Sequence, residues 1–141
     1  MRVQPYLLFD GRCEEALNFY TGALGAEILS LMRFKDSPLA EETGARPPGS
    51  GDMIMNASFR IGDSLLMASD GLCGGNPQFK GVSLSITLPD AAQANRIFAA
   101  LAEGGEVLMP MTETFFAQRF GMVLDRFGLS WLVLAAPVEG V

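Results

Sequence analysis

A chain of 141 residues with 49% hydrophobic and 18% charged residues lies in the globular range, is most simply one domain, and can bury a core of its own. Its net charge of −6 argues against nucleic acid as a partner, and no apolar run approaches the roughly 18 residues that a membrane span needs. Zero histidines remove the commonest metal ligand and the one side chain that ordinarily titrates near neutrality, so metal or acid-base chemistry must do without imidazole.

The N-terminal stretch MRVQPYLLFDG has a strand-like run at Tyr6 to Phe9, broken by Asp10-Gly11, and lacks a secretory apolar region with a small-residue cleavage site. A cytoplasmic location is expected. From Cys13 to Leu24 the apolar residues Ala16, Leu17, Phe19, Tyr20, Ala23 and Leu24 recur at helix spacing, and Gly25 stands where a helix stop belongs. Glu14 and Glu15 fall in the first helical turn, as solvated acids that suit the dipole. Ile28 to Phe34 is a second strand. The stretch from Phe34 to Asp52, rich in Pro, Gly and charge, is expected to be a long mobile loop at about 35–52. Strands follow at Met53 to Ile61 and Ser64 to Ala68, joined by a Gly62-Asp63 turn.

The second half repeats the order. Val82 to Leu88 is a strand, Asp90 caps a helix with Gln93 three residues on, Ile97, Phe98 and Leu101 supply its apolar stripe, and Gly104 closes it. GGEVL at Gly104 echoes GAEIL at Gly25, an offset of 79 residues. A final hairpin pairs Phe120 to Leu124 with Ser130 to Leu134, and FGLSWLV from Phe127 echoes IGDSLLM from Ile61, an offset of 66. The chain is therefore expected to be α+β, with two tandem βαβββ modules at about 1–70 and 80–136. One such module leaves a sheet face open, so two copies must pair their sheets and a dimer can exchange them. In Val82 to Leu88 the apolar Val82, Leu84, Ile86 and Leu88 should face the helix, leaving Ser83, Ser85 and Thr87 on the concave side, where a polar stripe marks a cavity. By the 79-residue offset, Gln4 matches Ser83 and Tyr6 matches Ser85.

The segments PYLLFDGRCEEALNFYTGALGAE, NASFRIGDSLLMASD and ETFFAQRFGMVLDRFGLSWLV, in this order, resemble the PhnB-like branch of the vicinal oxygen chelate superfamily, which includes glyoxalase I, bleomycin-resistance proteins and extradiol dioxygenases. The resemblance covers nearly the whole chain outside the 35–52 loop. It implies paired βαβββ modules curved into a cup, a cavity within the cup, and a homodimer. In metal-using members the ligands lie on the first and last strands of each module, and carried over residue by residue those positions are Gln4, Leu66, Ser83 and Leu132. Leu offers no lone pair, and an amide and a hydroxyl are weak neutral ligands, so no tight metal and no cofactor are expected. Where members carry His before Ala in the third strand this chain has Asn56-Ala57, and where they carry a His in a WAHxFG stretch it has Ala117-Gln118-Arg119-Phe120-Gly121. Carboxamides hydrogen-bond but do not shuttle protons at neutral pH. Some members bear the name of a demethylubiquinone methyltransferase; no Gly-rich loop in this sequence joins a strand to a helix as a nucleotide-like cofactor requires.

The candidate ligand-binding residues are Gln4, Tyr6, Asn56, Ser83, Ser85, Phe115, Phe116, Gln118 and Met122, set against the alternative that Asn56 only satisfies backbone groups and that the aromatic and Met residues are ordinary core. Glu113, expected to be buried beside Phe115 and Phe116 with a raised pKa, is the remaining carboxylate for general-base work, against the alternative of a loop acid in solvent. Trp131 should pack against a helix. Arg60 and Arg126 should pair with Asp63 and Asp125. Cys13 and Cys73 are expected to be free thiols. The reading that results is a small-molecule binding protein without a tight metal; a metal-dependent lyase, isomerase or dioxygenase with a weak or substrate-assisted metal, or a module serving only to oligomerise, are the alternatives.

Overall fold

The computed structural model describes residues 1–37, 49–71 and 76–135, so most of the long loop and Cys73 lie outside the described residues. The chain divides into two compact units, Met1–Pro77 and Gln78–Val141. The first contains β1 (Tyr6–Leu8), α1 (Cys13–Leu24), β2 (Glu27–Arg33), a short 3-10 turn at Phe34–Asp36, β3 (Ile54–Ile61) and β4 (Ser64–Ser69). The second contains β5 (Ser83–Leu88), α2 (Ala91–Ala102), β6 (Glu106–Thr112), β7 (Phe120–Leu124) and β8 (Ser130–Ala135). Each unit builds a four-stranded mixed sheet in the same order, β1-β4-β3-β2 and β5-β8-β7-β6. In both, the first strand runs parallel to the last and the remaining pairs are antiparallel. The expected α+β fold of two βαβββ modules is therefore the observed one.

The helices begin and end where the local chemistry dictates. Gly25, at φ 67°, donates its N–H to Thr21 O, and Ala26 donates to Tyr20 O, so the last turn of α1 closes on its own carbonyls. At α2, Asp90 Oδ1 accepts the N–H of Gln93 at 2.8 Å, and the Gln93 amide returns to Asp90 Oδ2 at 2.8 Å. Glu14 and Glu15 are exposed as expected, and each is paired, with Arg33 and Arg12 respectively.

In the first unit the helix covers the face carrying Leu7, Ala57, Phe59, Leu66 and Ala68, all buried. Tyr20 of α1 stacks on Phe59 with ring centroids 6.4 Å apart and tilts against Phe9 at 6.1 Å. In the second, Ala94, Phe98 and Leu101 of α2 are buried on the same side as Val123, Trp131 and Val133. Gly121 makes room for that helix, since a Cβ there would fall 2.8 Å from the Phe98 ring and 2.6 Å from Met111 Sδ. Trp131 is 2% exposed on the helix side. Val82, expected to face the helix, stands ahead of β5 and is 57% exposed; the alternation begins only at Leu84.

Two buried carboxylates lock these packings, and neither was anticipated. Asp70 Oδ1 accepts the N–H of Cys13 at 2.8 Å and Oδ2 that of Ile54 at 2.6 Å, which ties the first turn of α1 and the start of β3 to the end of β4. Asp125 accepts the N–H groups of Phe127 and Leu129 on Oδ1, and on Oδ2 the indole Nε1–H of Trp131 at 2.9 Å. One expected ion pair is corrected. Arg60 pairs across the strands with Glu27 rather than with Asp63, and Arg126 donates to the Glu103 carbonyl at 3.2 Å while Asp125 turns inward.

Replacing Asp125 by Ala leaves two backbone N–H groups and an indole N–H without that acceptor, so Asp125→Ala should lower unfolding free energy by about 1–3 kcal/mol or more in urea titrations. Trp131, the only tryptophan, reports the change directly by a red-shifted emission, whereas Asp63→Ala on the exposed turn should stay within about 0.5 kcal/mol.

Candidate functional site

With the helix covering one side of each sheet, the side chains on the opposite side form the open face of each unit, and strand register fixes which they are. In the first unit Tyr6, Met67, Ser58 and Ser30 lie in one row across β1, β4, β3 and β2. Asn56 and Met32 are paired in β3 and β2 on the same face, and the Tyr6 hydroxyl donates to Asn56 Oδ1 at 3.2 Å. The phenol oxygen keeps lone pairs to accept, and the Asn56 amide keeps its N–H groups to donate. Arg60 at the far row is paired with Glu27.

In the second unit three rows cross β5, β8, β7 and β6. They are Ser83, Ser130, Leu124 and Glu106; Ser85, Leu132, Met122 and Met109; and Thr87, Leu134, Phe120 and Thr112. Ser83 Oγ donates to Ser130 Oγ at 2.8 Å. The hydroxyls of β5 stay exposed along one edge of this face, apolar residues fill most of its middle, and Glu106 and Thr112 stand on the opposite edge strand, while Leu84, Ile86 and Leu88 alternate inward.

The sequence-derived candidates separate on this framework. Tyr6 and Asn56 meet; Ser83, Ser85, Met122 and Leu132 share the open face of the second unit. Gln4 is half-buried just ahead of β1. Leu66 does not belong with Leu132: it is 4% exposed and pairs with Phe59 on the helix side. The residue that stands to β1 as Leu132 stands to β5 is Met67, partner of Tyr6 as Leu132 is partner of Ser85, an offset of 65 rather than 66. Gln118 is exposed, and so is Glu113, whose expected burial is absent because its neighbour Phe115 is itself 82% exposed. Met67, Ser58, Ser130 and Phe120 were missed, although strict alternation along each hairpin would have placed all four on the open side.

The donors offered by the two faces are a phenol, an amide, hydroxyls, thioethers and one carboxylate on the outermost strand of each sheet, Glu27, which is paired with Arg60, and Glu106. Among the described residues no three His, Cys, Asp or Glu side chains gather as a metal cluster would require. Cys13 is fully buried under the first turn of α1, and burial, reinforced by the Asp70 and Glu14 carboxylates, pushes its thiol far above the ordinary range, so it is no nucleophile. Among the described residues no helix is long and apolar enough to cross a membrane.

Comparison with known proteins gives the arrangement its relatives. Residues 1–134 match the family model described as 3-demethylubiquinone-9 3-methyltransferase. Protein YjdN of Escherichia coli is 34% identical over 138 residues, covering 94% of each chain. Protein PA1353 from Pseudomonas aeruginosa, at 39% identity, superposes with a TM-score of 0.82 over 96% of this chain and 98% of that one. A PhnB protein from Bacillus cereus, at 30% identity, gives 0.79 over 96% and 100%. A glyoxylase/bleomycin resistance protein/dioxygenase domain from Frankia, at 18% identity, shares the fold with a TM-score of 0.64 over 100% and 95%.

In a Cys73→Ser background, Cys13 should resist Ellman's reagent in the native protein and react on unfolding. The folded thiol stays protonated while the unfolded thiol ionises. The stabilisation that follows is complete below the ordinary thiol value of 9.0 and is lost as pH rises above it. The alkaline decline in stability should be shallower in Cys13→Ala, as measured by urea titrations between pH 8 and 10.5.

Proposed function

The chain belongs to the PhnB-like family of the glyoxalase/bleomycin resistance/dioxygenase superfamily, and on that premise we propose that it binds a small molecule on the open faces of its sheets without a tightly held metal. The observation that carries this reading is the hydrogen-bonded pair Tyr6–Asn56, surrounded by Met67, Met32 and Ser58, where the strand positions could have carried carboxylates or imidazoles. Such a surface recognises shape, apolar area and neutral polar groups. It lacks the anionic or imidazole ligands that offset dehydration of a divalent transition metal. Recognition therefore accounts for the residues better than a lyase, isomerase or dioxygenase reaction does.

Methyl transfer, which the matched family's description names, is not the reading adopted. Both strand-to-helix turns are already committed, one to the Asp70 carboxylate at the first turn of α1 and the other to the Asp90 cap of α2.

The protein is further proposed to work as a cytoplasmic homodimer. The outermost strands β2 and β6 expose Ile28, Leu29, Leu31, Val107, Leu108 and Met109 at 38–46%, which is apolar surface on both sides of an edge strand.

Native mass spectrometry of protein purified without chelators tests the reading. A co-purifying organic molecule is expected, with affinity lowered about tenfold in the double variant Tyr6→Phe/Asn56→Ala, and light scattering should give twice the chain mass. A stoichiometric transition metal that disappears in Gln4→Ala or Ser83→Ala would overturn it.

A further inference from the structure

Resting on the ligand-binding reading above, we infer that what the open face of the second unit binds is a planar aromatic ring system without negative charge, and that Phe115, Phe116 and Phe120 of that unit form the platform on which it stacks. The segment between β6 and β7 is a pinned turn. Thr114 Oγ1 accepts the N–H groups of Ala117 at 3.0 Å and Phe116 at 3.3 Å, and Thr114 N–H donates to Ala117 O at 3.1 Å. Turn centres ordinarily carry Gly, Asn, Asp or Pro, whose backbone or side chains serve the turn itself. This turn holds two phenylalanines at its centre, 82% and 37% exposed, which folding does not call for.

The two rings meet edge to face at 5.2 Å, and Phe116 meets Phe120 edge to face at 5.3 Å. Phe120 is the first residue of β7 and lies on the open face, one alternation from Met122 and in the row that ends at the exposed hydroxyl of Thr87. The aromatic ladder thus leads from a fixed turn onto the sheet, with a thioether beyond it and hydroxyls along one edge. Rings and thioethers give offset stacking and S–aromatic contacts that only a ring can return in full. The hydroxyl edge suits polar substituents on the rim of that ring.

Charge settles what the ligand does not carry. The chain is at −6, and of the two charged residues that flank the platform in sequence the carboxylate, Glu113, is exposed while the cation, Arg119, is half-buried. A ring bearing a positive charge is drawn to this setting and interacts with the phenyl faces, whereas an anionic ring is repelled.

The test is equilibrium dialysis of the full chain with three probes: proflavine as a planar aromatic cation, amantadine as a non-planar cation and 2-naphthoate as a planar anion. Proflavine should bind, at least tenfold more tightly than either of the others, and Phe115→Ala/Phe116→Ala should weaken it about tenfold or more while Trp131 emission stays unchanged. Because both side chains are at the surface, the double variant keeps its fold, and Phe115→Tyr should retain the binding. Amantadine or 2-naphthoate binding as well as proflavine, an unchanged affinity in the double variant, or no proflavine binding would overturn the inference. A co-purifying molecule lost in Tyr6→Phe/Asn56→Ala but retained in the phenylalanine variant would leave ligand binding standing and remove only the aromatic class. Absence of both kinds of binding would remove both.

Discussion

Two buried aspartates carry the architecture. A carboxylate taken out of water is costly unless its oxygens are fully engaged, and every carboxylate oxygen of Asp70 and Asp125 accepts at least one N–H group. Asp70 takes a donor from a helix start and another from a strand start, so three separate pieces of chain are fixed at one point. Asp125 takes two donors from the loop between β7 and β8 and one from Trp131, which sets the depth of the indole on the helix side. Once the helix side of each sheet is closed in this way, the opposite side is what remains for recognition, and its residues follow from the pleat.

Periodicity made much of this legible. Helix spacing from Cys13 to Leu24 and the Gly25 stop coincide with α1, and the alternation in Ser83 to Leu88 identified the exposed hydroxyls correctly. Facing went wrong at Leu66 for a definite reason. The match of IGDSLLM to FGLSWLV aligns the two hairpins at 66 residues, but β3 and β4 join through a tight Gly62-Asp63 turn whereas β7 and β8 join through the longer Asp125 to Leu129 loop. Strand pairing therefore repeats at 65, and a slip of one residue moves a side chain to the other face of a sheet.

The aspartates were illegible for a different reason. An acid beside a turn or strand end ordinarily faces water, and nothing local distinguishes Asp125, which turns inward, from Asp63, which does not. Glu113 shows the converse error: apolar neighbours in sequence suggest burial, yet Phe115 points into solvent and takes no water away from the carboxylate. Family resemblance supplied the fold, but the chemistry of the open faces belongs to this chain alone, since a shared fold hosts many functions. The open face of the first unit carries a phenol hydrogen-bonded to an amide, and that of the second carries thioethers across a strand pair beside an aromatic turn.

Native-state hydrogen exchange followed residue by residue tests the central claim most directly. The account predicts that the amides of Cys13, Ile54, Phe127 and Leu129 and the indole N–H of Trp131 exchange only through global unfolding, among the slowest in the molecule. Exchange of these five protons through low-energy local openings, at rates like those of the exposed Gly62-Asp63 turn, would show that the aspartates do not lock the packing within each module and would contradict it.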